Sequence, residues 1–381
     1  MATRRTFLRI AAASGGALGL RLGLVPYLDV IAAGGPAGRA TRRRVNLHIL
    51  ILGGTGFIGP YQVQYALDRG HTLTLFNRGH TNPRLFPNVE HLIGDRADDL
   101  KSLEGRHWDV VIDNSATDPT WVERSARLLA PRVKKYIFVS SRAVYFDTSR
   151  VPMTIEAPLF TRENAPVRWF RRGLPYGRAK VLAEREAQKY FPGRALIVRP
   201  GLVVGPGDLS DRFTYWPVRI KRGGEVLAPG DGTDPVQFID ARDLSEWMIR
   251  LAEQNAVGVY NGLGPGYPLS FAALLQGIKA ATKSEATFTW VDADFLAANR
   301  VRAYEEMPVW RPARNGWEGF ARFDLTREIA LGLTFRPLAV TARDTLDYYY
   351  TQPEAAKNEL SAGITPAREA EVLAAWHARK Q

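Results

Sequence analysis

His48-Ile-Leu-Ile-Leu-Gly-Gly-Thr-Gly-Phe-Ile-Gly59 sets an apolar run of strand length directly against a turn rich in glycine. A helical pattern follows from Tyr61 to Arg69. Gly53, Gly54, Gly56 and Gly59 let the backbone turn sharply and approach a ligand closely, and the next helix offers its first amides to negative charge. A strand, a Gly54-x-Gly56-x-x-Gly59 turn carrying Phe57 and Ile58, and a helix, in that order, meet the needs of a dinucleotide pyrophosphate. A glycine-rich turn in another α/β protein has the same local look, so the rest of the chain must decide.

Beyond the turn, apolar runs recur at 47–52, 72–76, 110–112, 136–139 and 195–198, with helical stretches between them such as 120–129 and 176–190. Strands alternating with helices predict an α/β fold with a doubly wound parallel Rossmann sheet over 45–200, binding ligands at the carboxyl ends of its strands. From about Gly201 glycine and proline become frequent (Gly205-Pro-Gly207, Gly223-Gly224, Pro229-Gly230) and the pattern turns irregular. This predicts a smaller C-terminal α/β substrate lobe over 201–350, interleaved with the first. A helical tail over 351–381 follows, its last helix at 366–379 expected to form a surface cap.

The net charge of +12 suggests a polyanion partner until it is located. Residues 1–44 hold Arg4, Arg5, Arg9, Arg21, Arg39, Arg42, Arg43 and Arg44 against Asp29 alone, leaving a modest excess of +5 over the rest. That balance does not favour nucleic acid. Cysteine is absent, which excludes disulfides, thiolate metal sites and a cysteine nucleophile. The six histidines lack ligand spacing, so no metal is expected, and no Gly-x-Ser-x-Gly elbow occurs. Thr3-Arg4-Arg5-Thr6-Phe7-Leu8-Arg9 resembles a twin-arginine export signal, so residues 1–44 read as a leader and linker and the protein as periplasmic; a cryptic leader on a cytoplasmic protein is the alternative. The apolar stretch behind the arginines is broken by Arg21, Pro26 and Asp29, which predicts no stable membrane span.

Two further signals lie where a nicotinamide-dependent site needs them. Tyr136-Ile-Phe-Val-Ser-Ser-Arg-Ala-Val-Tyr145 is a strand ending in Ser140-Ser141, and Tyr176-Gly-Arg-Ala-Lys180 opens a helix. Four-residue spacing puts Tyr176 and Lys180 on one helix face, where the ammonium is expected to lower the phenol pKa for acid–base work. A serine at the strand end can orient the same substrate oxygen.

Together these stretches resemble the extended short-chain dehydrogenase/reductase family, in its NAD(P)-dependent epimerase/dehydratase branch. The likeness covers roughly residues 45–350 and includes the glycine turn, Gly94-Asp95, Ser140-Ser141 with Val144-Tyr145, Tyr176 with Lys180, Arg199-Pro200 and Phe238-Ile-Asp-Ala-Arg-Asp243. The resemblance implies that Ser141 and Tyr176 act on the substrate hydroxyl, and that Lys180 tunes Tyr176 and holds the nicotinamide ribose. Ser141 is preferred to Ser140 because it lies four residues before Tyr145. It also implies Asp95, with Arg96 beside it, at the adenine and Pro200 near the carboxamide; dimers are common in the family, so a homodimer is open.

Phe76-Asn77-Arg78-Gly79 ends the second strand without the acidic residue that usually holds NAD ribose hydroxyls, and Arg78 can pair with a 2′-phosphate. NADP is therefore expected, with NAD the alternative. Two positions that hold the diphosphate in nucleotide-sugar members are Leu202 and Val236 here. Arg212 or Arg219 is a substitute candidate. Trp169, in the insert Arg168-Trp-Phe-Arg-Arg172, and Trp216 are candidate sugar platforms or buried structural residues. The expectation is an epimerase- or dehydratase-like enzyme with retained cofactor and redox-neutral turnover on a sugar or other polyhydroxylated molecule. A net reductase or dehydrogenase of a small carbonyl compound and an RNA-binding or other non-catalytic member are the alternatives.

Overall fold

The computed structural model describes residues 45–114, 117–164, 174–358 and 360–379; residues 1–44, expected to form an export leader and linker, and the insert at 168–172, with Trp169, lie outside the described residues. Strand β1 (His48–Leu52) alternates its side chains, Ile49 and Ile51 to one face and Leu50 and Leu52 to the other, all fully buried. A strand apolar on both faces belongs in the middle of a parallel sheet covered by helices. The chain continues through α1 (Gly59–Asp68), β2 (Thr72–Asn77), β3 (Glu90–Ile93), β4 (Trp108–Asp113), α2 (Pro119–Leu129), β5 (Val133–Val139), α3 (Tyr176–Tyr190) and β6 (Ala195–Pro200).

It then passes through β7 (Leu202–Val204), α4 (Tyr215–Lys221), β8 (Glu225–Pro229) and β9 (Phe238–Asp240) before α5 (Ala241–Glu253) and β10 (Gly258–Gly262) return to the main sheet. That sheet has the order β3-β2-β1-β4-β5-β6-β10, with every pairing parallel. Helices α1 and α5 cover the face of Ile49 and Ile51, and α2 and α3 cover the face of Leu50 and Leu52. The expected doubly wound Rossmann sheet is therefore present. Its order reverses at β1 and β4, so the turn after β1 opens into the crevice where such sheets take ligands.

The remaining elements are α6 (Phe271–Thr282), β11 (Thr287–Val291), α7 (Ala293–Ala298), α8 (Thr326–Ala330), α9 (Leu338–Thr351), α10 (Glu354–Asn358) and α11 (Pro366–Ala378). Parallel pairs β8–β11 and β7–β9 and a second core around Trp216, Phe271, Leu274 and Trp310 build the smaller lobe. Three parts of the second half take definite places. The segment 241–262 lies inside the range 201–350 and serves the first sheet, which is where the two lobes interleave. Helix α11 is no surface cap: Val372, Leu373 and Trp376 are buried in the second core, because three apolar residues on one face seek burial. Trp216 is fully buried there and donates its Nε1 hydrogen to the Pro308 carbonyl at 2.7 Å, so it offers no platform. Among the described residues no helix is long and apolar enough to cross a membrane.

Candidate active site

The glycine turn has two differently built ends. Gly53 and Gly54 hold φ values of 113° and 55°, in the left-handed region that side chains other than glycine resist. The Gly53 amide donates to Phe76 O at 2.9 Å, which ties the turn to the end of β2. A Cβ at Gly59 would stand 2.5 Å from the Gly54 carbonyl carbon, whereas one at Gly56 would meet no atom within 4 Å. Gly59 is thus a packing contact, and Gly56 faces open space. Ile58 occupies the N-cap of α1 without a side-chain cap bond, which leaves first-turn amides for an outside acceptor. Phe57 lies nearby against Gly207, its Cδ2 3.6 Å from where a Cβ there would be.

At the end of β2, Asn77 accepts from the Gly79 amide at 2.8 Å, while its Nδ2 is buried without a partner. A buried donor left unmade costs about 1–3 kcal/mol, so an acceptor arriving from a dinucleotide would be favoured. The open face at Gly56, the uncapped α1 and this Asn77 donor together fit such a cofactor. Arg78 has 66% of its side chain exposed and lies 3.9 Å from the Asp95 carboxylate. Asp95 also accepts from the Ala97 amide at 2.9 Å. Arg96 pairs with Asp113, buried at the end of β4, and the Tyr136 hydroxyl donates to the same carboxylate at 2.6 Å. Arg96 is thereby engaged inward. Pro200 is buried at the end of β6, in register with Gly262.

Ser141 ends the excursion of β5 and caps the short 3₁₀ turn 142–144 by accepting the Ala143 amide at 3.1 Å. Helix α3 starts at Tyr176 and presses on that turn: a Cβ at Gly177 would lie 1.9 Å from Ala143 O. Only glycine allows this approach, which brings the Tyr176 hydroxyl close enough to the Ser141 hydroxyl to feel it. Lys180, one turn further along, donates to Val139 O at 2.9 Å, and its Nζ lies 5.8 Å from the centre of the Tyr176 ring.

The electrostatics differ from the sequence expectation. Burial of the hydroxyl end raises the Tyr176 pKa although 51% of the residue is exposed; the Ser141 hydrogen bond pulls the other way. Burial also brings Lys180 down to about 8, opposed by Asp113 and Glu184. Lowering of the phenol by Lys180 is not what this geometry produces. The ammonium is spent on the Val139 carbonyl, and desolvation governs both groups. At neutral pH Tyr176 holds its proton and is ready to donate it.

Behind this pair lies a buried polar network that the sequence reading missed. Ser140 donates to Glu184 at 2.5 Å, Arg199 grips Glu184 with two bonds of 2.9 and 2.7 Å, and Arg199 also reaches the Tyr145 hydroxyl at 3.1 Å. Tyr145 donates in turn to Asn261 at 2.7 Å. Ser140 is thus engaged with the core while Ser141 faces Tyr176. The available signal was Glu184 itself, four residues after Lys180 on the same helix face. Of the two arginine substitutes, Arg219 is a structural strut to Glu369 and to the Gly223 and Glu225 carbonyls. Arg212 stands over the Tyr304 ring, 5.3 Å from its centre. Leu202 and Val236 are both buried in the second core.

The profile of the NAD dependent epimerase/dehydratase family matches residues 49–262. The chloroplast stem-loop binding protein of 41 kDa b from Arabidopsis thaliana is 27% identical over 58% of this chain; the match spans 59% of that protein, under two thirds of its length. The 2-alkyl-3-oxoalkanoate reductase of Stenotrophomonas maltophilia is 26% identical over 62% of this chain and 76% of its own. The crystal structure of a UDP-glucuronic acid 4-epimerase from Bacillus cereus in complex with NAD shares the fold at a TM-score of 0.55 and 16% identity, covering 79% of this chain and 98% of that one. With more than half its length matched, the chain belongs to the NAD dependent epimerase/dehydratase family.

Proposed function

We propose that this member of the epimerase/dehydratase family carries out a redox-neutral, epimerase- or dehydratase-like reaction on a sugar or other polyhydroxylated small molecule. The observation that carries the reading is the meeting of Ser141 and Tyr176, enforced by Gly177, with Lys180 one turn away at the carboxyl edge of the sheet. Bound nicotinamide supplies a hydride acceptor and donor for the substrate carbinol. The glycine turn and the start of α1 would receive the pyrophosphate, Asn77 a ribose oxygen, and Lys180 and Pro200 the nicotinamide end. Ser141 orients the substrate oxygen, and Tyr176 gives or takes the proton on it.

NADP is the preferred cofactor in this reading, supported by an Arg78 guanidinium that reaches solvent with its nearest ionic contact at 3.9 Å. Arg78→Ser is expected to lower NADP affinity at least tenfold while leaving NAD affinity within twofold, measured by titration of cofactor-stripped protein. The leader supports export of folded protein already holding its cofactor, since an exported enzyme needing exchange would stall after one turnover. Denaturing the purified protein and identifying released nicotinamide dinucleotide tests this: protein that is empty and binds only weakly sinks the retained-cofactor reading.

A second reading, net reduction of a small carbonyl compound, is favoured by the raised Tyr176 pKa, which suits proton donation to a carbonyl oxygen at neutral pH. The similarity to an oxoalkanoate reductase supports it too. Continuous NADPH consumption with a carbonyl substrate distinguishes it from the redox-neutral cycle.

A further inference from the structure

The chain leaves the main sheet at Pro200, the last residue of β6, and by Pro206 it has come back to the glycine turn. There the Tyr61 hydroxyl, in the first turn of α1, donates to the Pro206 carbonyl at 2.7 Å, a bond between residues 145 apart in sequence. In the sheet, β4 and β5 stand between β1 and β6. Inter-strand steps of about 4.8 Å make the crossing about 14 Å. The residues from Pro200 to Pro206 reach about 20 Å when extended. The segment 200–206 is thus a short strap drawn past the carboxyl ends of β5 and β4, along the crevice that the glycine turn opens into.

The two ends of this strap are held differently. Its β7 part pairs with β9, and Leu202 and Val204 are buried in the second core. The other end meets the first lobe through the Tyr61 bond and through Gly207, where a Cβ would lie 3.6 Å from Phe57 Cδ2. Leu209, just beyond, is 69% exposed. Gly205 and Gly207 flank Pro206 with φ values of 118° and 87°, so the carbonyl that accepts from Tyr61 sits between two natural pivots.

The turn beneath is fixed by other bonds. Asn82 Nδ2 donates to Thr55 O at 3.1 Å, and Ser245 Oγ on α5 donates to Ile58 O at 3.2 Å. Each uses a carbonyl of the turn, which steadies its backbone without spending an amide. With the turn pinned, the part built to move is the strap end between its glycines. Burial pushes the Tyr61 hydroxyl well above the usual phenol range, so it remains a donor at neutral and mildly alkaline pH.

We infer that Tyr61 is a cofactor-retaining residue: its bond to Pro206 latches the strap along the crevice, and a bound dinucleotide leaves only after that bond opens. The inference rests on the proposed function and gives its retained cofactor a physical cause.

The test is the rate at which the full chain, loaded with NADPH, releases it into excess NADP, followed by nicotinamide fluorescence, with NADH and NAD run in parallel. Tyr61→Phe removes only the donor and is expected to speed release about tenfold. Gly207→Ala resists a φ of 87° and loosens the bond from the other side, with the same acceleration expected. Tyr260→Phe removes a comparable bond, to Val257 O at 3.0 Å, and is expected to leave release unchanged. Hydrogen exchange of the amides in 205–211 is expected to slow when NADPH binds the wild-type protein. Release within twofold of wild type in both Tyr61→Phe and Gly207→Ala overturns the inference, whatever their melting temperatures, and so does equal acceleration in Tyr260→Phe. Unchanged exchange at 205–211 overturns it even if both variants fold poorly. Protein that holds dinucleotide but ignores both substitutions refutes the latch alone. Protein purified empty that releases loaded NADPH faster in both variants supports the latch and refutes retention through export, and protein that binds no dinucleotide refutes both.

Discussion

Gly56 and Gly59 stand three positions apart in one turn and are glycine for different reasons. Gly59 touches the backbone of Gly54, so Gly59→Ala forces the turn and α1 apart and is expected to lower the denaturation midpoint clearly. Gly56 touches no protein atom, so Gly56→Ala is expected to melt as wild type yet lose retained cofactor, assayed by dinucleotide released on denaturation. Tyr176→Phe removes one hydroxyl from a half-exposed ring, so stability should change by less than about 0.5 kcal/mol. Turnover should fall by about 10²–10⁴, read as product formed per enzyme under either reading of the reaction. At this scale the sequence indicated Ser141, Tyr176 and Lys180, because strand-end and helix-face spacing are local properties. It did not indicate the inward pairing of Arg96 with Asp113 or the orphan Asn77 donor, since both depend on what other strands bring alongside.

Among the elements, β5 carries an unusual passenger. Lys135 is 2% exposed, its Nζ has no hydrogen-bond partner, and burial lowers its pKa to about 8. Below pH 8 the folded protein bears the full cost of a buried ammonium. Between there and the ordinary lysine value of 10.5 the folded form has released a proton that the unfolded chain keeps, so this contribution makes stability rise with pH across that window. Lys135→Met is therefore expected to stabilise the protein by about 1–3 kcal/mol at pH 7, with the gain shrinking as pH climbs past 8, measured by urea denaturation at several pH values. The central strands were readable because they are apolar on both faces. Edge strands β3 and β10 were not: Glu90-His-Leu-Ile93 buries only Leu92, and Gly258-Val-Tyr-Asn-Gly262 has glycine at both ends. Their strand identity comes from pairing with β2 and β6.

For the whole molecule, Glu369 shows how the carboxyl-terminal helix joins the second lobe. Buried on α11, it accepts from Arg219 on α4 at 2.6 Å and from the Leu227 amide on β8 at 3.0 Å. Glu369→Ala strands a largely buried arginine and is expected to cost about 3 kcal/mol or more, seen as a lower urea midpoint. The sequence by itself determined the Rossmann half, the dinucleotide turn at Gly53–Gly59 and the candidate residues Ser141, Tyr176 and Lys180, because strand–helix alternation and short-range spacing are written along the chain. Tertiary structure alone decided that 241–262 returns to the first sheet, that α11 is core, and that Tyr61 meets the Pro206 carbonyl. Such contacts join residues far apart in sequence, where local periodicity carries no information about which side chains meet.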